Sequence, residues 1–174
     1  MIVQKFITNI WQDRFELTQD VIKELDDWID FEKELDPIGR NESTTEKGWQ
    51  YSFGPKDKMP RWLEILQPNI KNIKEEIKSN YIKSSWVVDY NTGGYQDPHF
   101  HEPGNDLKTV ILNLRGEGEL LLFDPRPMAV SHGESIVEKV KLTPGDWIAI
   151  PSWLVHNTKP CNDRRTIYVM DVYS

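Results

Sequence analysis

With 174 residues, 38% of them hydrophobic and 28% charged, the chain has the composition of a folded globular protein that can bury one core, not of a disordered segment. Its net charge of −7 speaks against a generic nucleic-acid binder, which needs a basic face, and no apolar run approaches the roughly 20 residues that span a bilayer. The lone Cys161 cannot close an internal disulfide and no hydrophobic signal region follows the first residues, so the cytoplasm is the expected compartment.

Residues 2–8 mix β-branched and aromatic side chains and predict a short strand. Over residues 19–35, Val21, Ile22, Leu25, Trp28, Ile29 and Phe31 recur near helical spacing, with Thr18 as N-cap and Pro37 and Gly39 as the stop. Residues 41–47 are polar and predict a loop, and residues 48–54 alternate large and small as a strand does. A second helix is predicted over residues 61–79, opened by Pro60, with a break or kink at Pro68.

From residue 84 the pattern changes to short strands. They are predicted at residues 84–91, 107–114, 119–123, 135–142, 147–150 and 165–173, with the pair 107–114 and 119–123 forming a hairpin about Gly116 and Gly118. No helical pattern interrupts them, which excludes parallel βαβ units and predicts a closed or sandwiched antiparallel barrel. The expected fold is therefore mainly β: one domain over residues 1–174, with a helical support region (1–83) bracing a barrel core (84–174).

Three of the four histidines fall in this β-rich half at telling places. His99 and His101 close the stretch Gly-Gly-Tyr-Gln-Asp-Pro-His-Phe-His at residues 93–101, and on a strand residues i and i+2 share a side. Two imidazoles can then reach one metal ion, and His156, in Pro-Ser-Trp-Leu-Val-His at residues 151–156, would complete a facial set with open positions. Singly, each histidine reads as readily as a surface or core residue. His132 lies in a polar loop and reads as surface. Arg164 and Arg165 follow His156 by eight and nine residues, and an arginine there can hold a carboxylate in a bidentate fork. Only one can point inward: spacing favours Arg165, whereas the shared face with the Thr166 and Tyr168 hydroxyls favours Arg164.

These pieces, with Gly48-Trp49-Gln50, residues 123–126 (Phe-Asp-Pro-Arg) and Pro144-Gly145-Asp146, give the chain a resemblance over nearly its whole length to the iron(II)/2-oxoglutarate-dependent oxygenases. The nearer resemblance is to a small group of uncharacterised members common in bacteriophages and marine bacteria, which would place a phage-encoded chain in the host cytoplasm. The resemblance implies a double-stranded β-helix (jelly-roll barrel), iron(II) on His99, His101 and His156, and an arginine at 164 or 165 on the distal carboxylate of the cosubstrate 2-oxoglutarate. It also implies a hydroxylase that couples oxidative decarboxylation of 2-oxoglutarate to oxidation of a substrate C–H bond. Most of the superfamily has a carboxylate as second ligand, where this chain has His101; Asp97 as a ligand is the alternative. Asp97 and Glu102 are candidate partners that orient a ligand histidine. Asn113 and Tyr90 are candidate contacts to the cosubstrate, with core packing as the plainer role. Trp147 and Trp153 are candidate pocket walls on the same terms. The substrate, peptidyl or small-molecule, is not legible; neither membrane nor nucleic acid is an expected partner, and a homo-oligomer is compatible with the sequence.

Two other readings share these residues. Cupins use a similar His-x-His and distal-histidine spacing, which would make the chain a three-histidine dioxygenase without 2-oxoglutarate. Against it stand the absent cupin glutamate, the helical N-terminal half and the arginine pair. A barrel that keeps a metal without turnover is the third reading.

Overall fold

The structure is a computed structural model describing residues 2–5, 8–39, 45–103, 106–126 and 136–173. Among the described residues, ten strands and two helices follow in the order β1 (Ile2–Lys5), β2 (Thr8–Arg14), α1 (Gln19–Leu35), β3 (Thr45–Ser52), α2 (Arg61–Glu76), β4 (Tyr81–His99), β5 (Leu107–Arg115), β6 (Gly118–Phe123), β7 (Val137–Leu142), β8 (Asp146–Pro151), β9 (His156–Thr158) and β10 (Arg165–Tyr173). All pairings are antiparallel. The strand path β1-β2-β8-β5-β10-β4-β9-β6-β7, with β3 added to β4, curls into the double-stranded β-helix. The first 83 residues thus supply three strands to the sheet as well as the helices.

One strand joins the two halves of the barrel. The first part of β4 pairs with β10 as far as Tyr90↔Arg165, and its last part pairs with β9 at Gln96↔Thr158 and His99↔His156. The switch falls at Gly93 and Gly94. Gly93 has φ +76°, a conformation side chains resist, and a Cβ on Gly94 would lie 2.8 Å from the carbonyl oxygens of Asn91 and Lys47. The backbone of Gly93 and Gly94 then exchanges hydrogen bonds with Cys161, which ties the bend to the loop before β10.

The alternation of β10 separates two cores. Tyr168, Met170 and Val172 join Val87, Val110, Leu112 and Trp147 beneath the helices, against Val21, Leu25 and Ile29 of α1 and Trp62, Leu66, Ile70 and Ile73 of α2. Ile167 and Val169 face the other way, into the barrel, with Val88, Tyr90, Ile111, Leu120, Leu122, Ile148 and Ile150. Helix α1 matches its predicted span, and Thr18 caps it by accepting from the Val21 N–H at 3.4 Å. Helix α2 runs unbroken through Pro68. The ~3 kcal/mol cost of an internal proline is outweighed by burial of Trp62, Leu63, Leu66, Ile70 and Ile73, worth roughly 1.5–3 kcal/mol each.

The expected hairpin of 107–114 with 119–123 does not form. Strand β5 pairs with β8 and β10, while β6 pairs with β7 and β9. Gly116 (φ +66°) and Gly118 turn the chain from one sheet to the other instead of folding it back on itself. Sequence gives the same signal for both, because only the partners differ. The expected loop at 41–47 gives way to β3 from Thr45 onward, residues 41–44 and His132 lying outside the described residues.

Candidate metal centre

His99 ends β4 and His156 opens β9 directly opposite it, as Cα partners in the ladder. His101 lies two residues beyond His99, anchored by its backbone N–H donating to Ser152 O at 2.9 Å. One ring nitrogen from each of the three lies within 4.8 Å of the others. The sequence-predicted set of His99, His101 and His156 is therefore brought together.

The other ring nitrogens are all engaged. Nδ1 of His99 faces the Asp97 carbonyl at 2.7 Å, and Nδ1 of His156 faces the Leu154 carbonyl at 2.9 Å. A carbonyl oxygen only accepts, so both Nδ1 atoms carry the proton and both Nε2 atoms present a lone pair. Nδ1 of His101 faces Asp171 Oδ1 at 2.8 Å and the Thr109 hydroxyl at 3.0 Å, so this nitrogen too carries a proton. Burial, reinforced by the neighbouring His99 and His101, pulls His156 down to about 3. Burial, chiefly, also lowers His99. Neutral imidazoles are the form that binds a metal ion.

The carboxylates expected to orient these rings are elsewhere. The Asp97 side chain is exposed, and only its backbone carbonyl serves His99. Glu102 pairs with Lys83 instead. Asp171 takes the role at His101, and it accepts from Thr109 Oγ1 at 2.8 Å and from Ser84 Oγ at 3.3 Å; Thr109 in turn meets Ser152 at 3.1 Å. Asp171, Thr109, Ser152 and Ser84 were not among the sequence-derived candidates. One signal was available: Asp171 falls in alternation with Arg165, Ile167 and Val169.

Arg165 begins the same inward row. It is fully buried, and its Nε donates to Asn113 Oδ1 at 2.7 Å, while Asn113 Nδ2 donates to Gly116 O at 2.6 Å. Among the described residues, neither Nη1 nor Nη2 has an oxygen or nitrogen partner; the Cys161 thiol is the polar group beside the guanidinium. Tyr90 lies beside the guanidinium, buried, its hydroxyl pushed up to about 12 by burial against the opposing charge of Arg165, and donating to Gln96 Oε1 at 3.2 Å. Cys161 is a further neighbour; burial raises its thiol, and Arg165 works against that rise. Tyr90 lies in the inner core with Leu120 and Leu122, and Leu122 is the Cα partner of His156.

Arg164 and Thr166 point the other way. Both bind the fully buried Asp89, Arg164 at 3.0 Å and Thr166 at 2.6 Å, together with Lys33 of α1 at 2.6 Å. They fasten the helix layer to the sheet and do not reach the histidines. Trp147 also belongs to the helix-facing core, because it sits opposite Leu112 in the ladder; it does not wall the pocket. Trp153 packs partly buried against the inner core. The aromatic wall next to the metal centre is Trp86, 5.2 Å from the His101 ring. A cleft of about 380 Å³ opens there, lined by Gln50, Ser84, Trp86, Gln96, Phe100 and Asp171 along with His99 and His101.

No family model and no curated protein matches the sequence. Solved structures do match in fold. A Pseudomonas putida prolyl-4-hydroxylase superposes with TM-score 0.67 at 11% identity, over 95% of this chain and 92% of its own. A prolyl hydroxylase from Trichoplax adhaerens, solved with a hypoxia-inducible factor peptide fragment, gives TM-score 0.67 at 11% identity over 94% of this chain and 83% of its own. AviO1 from Streptomyces viridochromogenes Tue57 gives 0.63 at 13% identity, over 96% of this chain and 90% of its own. The likeness defines a jelly-roll fold that oxygenase enzymes use. No helix among the described residues is long and apolar enough to cross a membrane.

Proposed function

We propose that this chain is an iron(II)/2-oxoglutarate-dependent dioxygenase acting as a hydroxylase, with His99, His101 and His156 as the metal ligands. The observation that carries the reading is the fully buried guanidinium of Arg165, whose Nη1 and Nη2 lack oxygen or nitrogen partners among the described residues. Such a group costs roughly 1–3 kcal/mol per unmet donor, more when charged, and a carboxylate satisfies both donors at once. A three-histidine dioxygenase without 2-oxoglutarate does not need an inward arginine on its last strand, which is why the cosubstrate reading is preferred.

When bound, iron(II) with 2-oxoglutarate supplies oxidative decarboxylation coupled to oxidation of a C–H bond. The chain's own residues do the rest. His99, His101 and His156 present three unprotonated Nε2 atoms. Arg165 receives the distal carboxylate of 2-oxoglutarate, held in orientation by Asn113, and Tyr90 borders the same space. The inner apolar core excludes water from it. The Trp86 and Gln96 cleft receives the substrate beside the metal. The peptide bound to the Trichoplax protein, together with the uncharged amides, hydroxyls and aromatic rings of this cleft, favours a peptidyl substrate. Anaerobic titration with iron(II) and then 2-oxoglutarate tests the reading, the expected result being a visible metal-to-ligand charge-transfer band. Stoichiometric iron binding with no band and no 2-oxoglutarate affinity would overturn it.

A further inference from the structure

We propose that Asp171 is a positioning residue for the metal centre, one that locks His101 in its Nδ1–H tautomer and supplies from behind the ring the negative charge that three neutral imidazoles lack. The inference rests on the reading that the three histidines hold a metal ion. His101 differs from its two companions in what stands behind it. His99 and His156 are backed by backbone carbonyls, whereas His101 is backed by a carboxylate oxygen at 2.8 Å, with the Thr109 hydroxyl that donates to it lying 3.0 Å from the same nitrogen. An ionised carboxylate accepts only, so the Nδ1 proton is fixed more firmly there and the Nε2 lone pair is richer in charge.

The carboxylate is itself held. Thr109 donates to the oxygen that faces His101, at 2.8 Å, and Ser84 donates to the other at 3.3 Å. Asp171 is 7% exposed, and among the described residues no lysine or arginine pairs with it. A nearly buried carboxylate without a cation is costly. A divalent ion across the His101 ring relieves that cost, so the anionic partner and the open Nε2 set belong to one device. Electrostatically, the carboxylate that commonly ligates iron in this class of site stands one residue back here, acting through an imidazole.

The consequence for substitution is specific. In Asp171→Asn an amide replaces the carboxylate with little change of shape, and its N–H can donate to Nδ1. The His101 proton then moves to Nε2, where it blocks metal binding. Nitrogen-15 NMR of the metal-free protein reads the tautomer directly, and anaerobic titration with cobalt(II), followed by its visible absorption, reads the affinity. Expected for the wild type are one cobalt(II) per chain and a Nδ1–H signal at His101. Expected for Asp171→Asn are a shift of that signal toward Nε2–H and cobalt(II) binding weaker by about 10–100-fold. Thr109→Val, which keeps the carboxylate but removes both its donor and the hydroxyl beside His101 Nδ1, should bind a few-fold more weakly. Wild-type His101 in the Nε2–H form, or cobalt(II) affinity unchanged in Asp171→Asn, overturns the proposal while leaving the metal site intact. A wild type that binds no cobalt(II) overturns both. The wild-type tautomer decides the matter even where Asp171→Asn does not fold.

Discussion

Asn113 accepts from Arg165 Nε at 2.7 Å inside the barrel, and in doing so it turns the two unpartnered Nη atoms of the guanidinium toward other company. The neighbouring Arg164 is turned to Asp89 on the opposite face of the sheet. Arg165, the first residue of β10, and Arg164 immediately before it thus serve different layers.

Separate leucine substitutions should therefore give unlike results. Arg165→Leu is expected to abolish the 2-oxoglutarate charge-transfer band while leaving metal stoichiometry at one. Arg164→Leu should keep the band and lose stability instead, by roughly 1–3 kcal/mol, because the buried Asp89 forfeits a donor. Urea denaturation alongside the anaerobic titration separates the two effects. Loss of the band in Arg164→Leu with stability unchanged would contradict the assignment.

Gly118 gives a second handle on the same guanidinium. A Cβ at this position would lie 2.4 Å from Arg165 Nη1 and 2.5 Å from its Cζ, so Gly118→Ala forces the end of a flexible side chain to move. The backbone there does not demand glycine, since its φ is not among the positive ones. The expected outcome is a folded protein whose metal affinity is unchanged and whose 2-oxoglutarate affinity falls by at least tenfold, about 1.4 kcal/mol. Calorimetric titration of the metal-loaded variant with 2-oxoglutarate checks it.

Acid should destabilise the metal-free protein through His156. Its folded value of about 3 lies below the ordinary value of 6.5, so between those limits the unfolded chain binds the proton more readily. That contribution leaves stability undiminished above about pH 6.5 and erodes it as pH falls toward 3. His99 adds in the same direction. Urea midpoints measured at pH 7 and pH 4.5 should differ more for the wild type than for His156→Gln, and a pH dependence identical in the two proteins would count against the burial argument.

Much of this site was legible in the sequence because it depends on local geometry. The two-residue spacing of His99 and His101 and the alternation of residues 165–173 are properties of a strand wherever it lies. What the sequence left open depended on partners. Glu102 and Asp97 are near His99 and His101 in sequence, yet it is Asp171, 70 residues further on and paired with Thr109 across β10 and β5, that meets His101. Trp147 and Trp153 look alike as pocket walls until the register places Trp147 opposite Leu112, beneath the helices. The false hairpin at Gly116 and Gly118 has the same origin. A glycine turn is visible locally, but whether the chain re-enters its own sheet or crosses to the facing one is settled by which strands are already paired.

The carboxylate behind His101 also predicts how the site responds to a change of ligand type. His101→Asp would put a carboxylate in place of the second imidazole, and on ligand chemistry alone it should bind iron(II) well. In this chain the new carboxylate would share a nearly buried space with Asp171, which now stands 2.8 Å from the ring nitrogen it serves. Two carboxylates so placed repel. The single variant is therefore expected to bind cobalt(II) at least tenfold more weakly than the wild type. Adding Asp171→Asn removes the second charge and leaves an amide that can donate to the new ligand, so the double variant should recover most of the loss. Each change alone weakens binding while the pair restores it, a coupling of about 1.4 kcal/mol or more in a double-mutant cycle. Additive losses in the double variant would show that Asp171 acts independently of the residue at position 101.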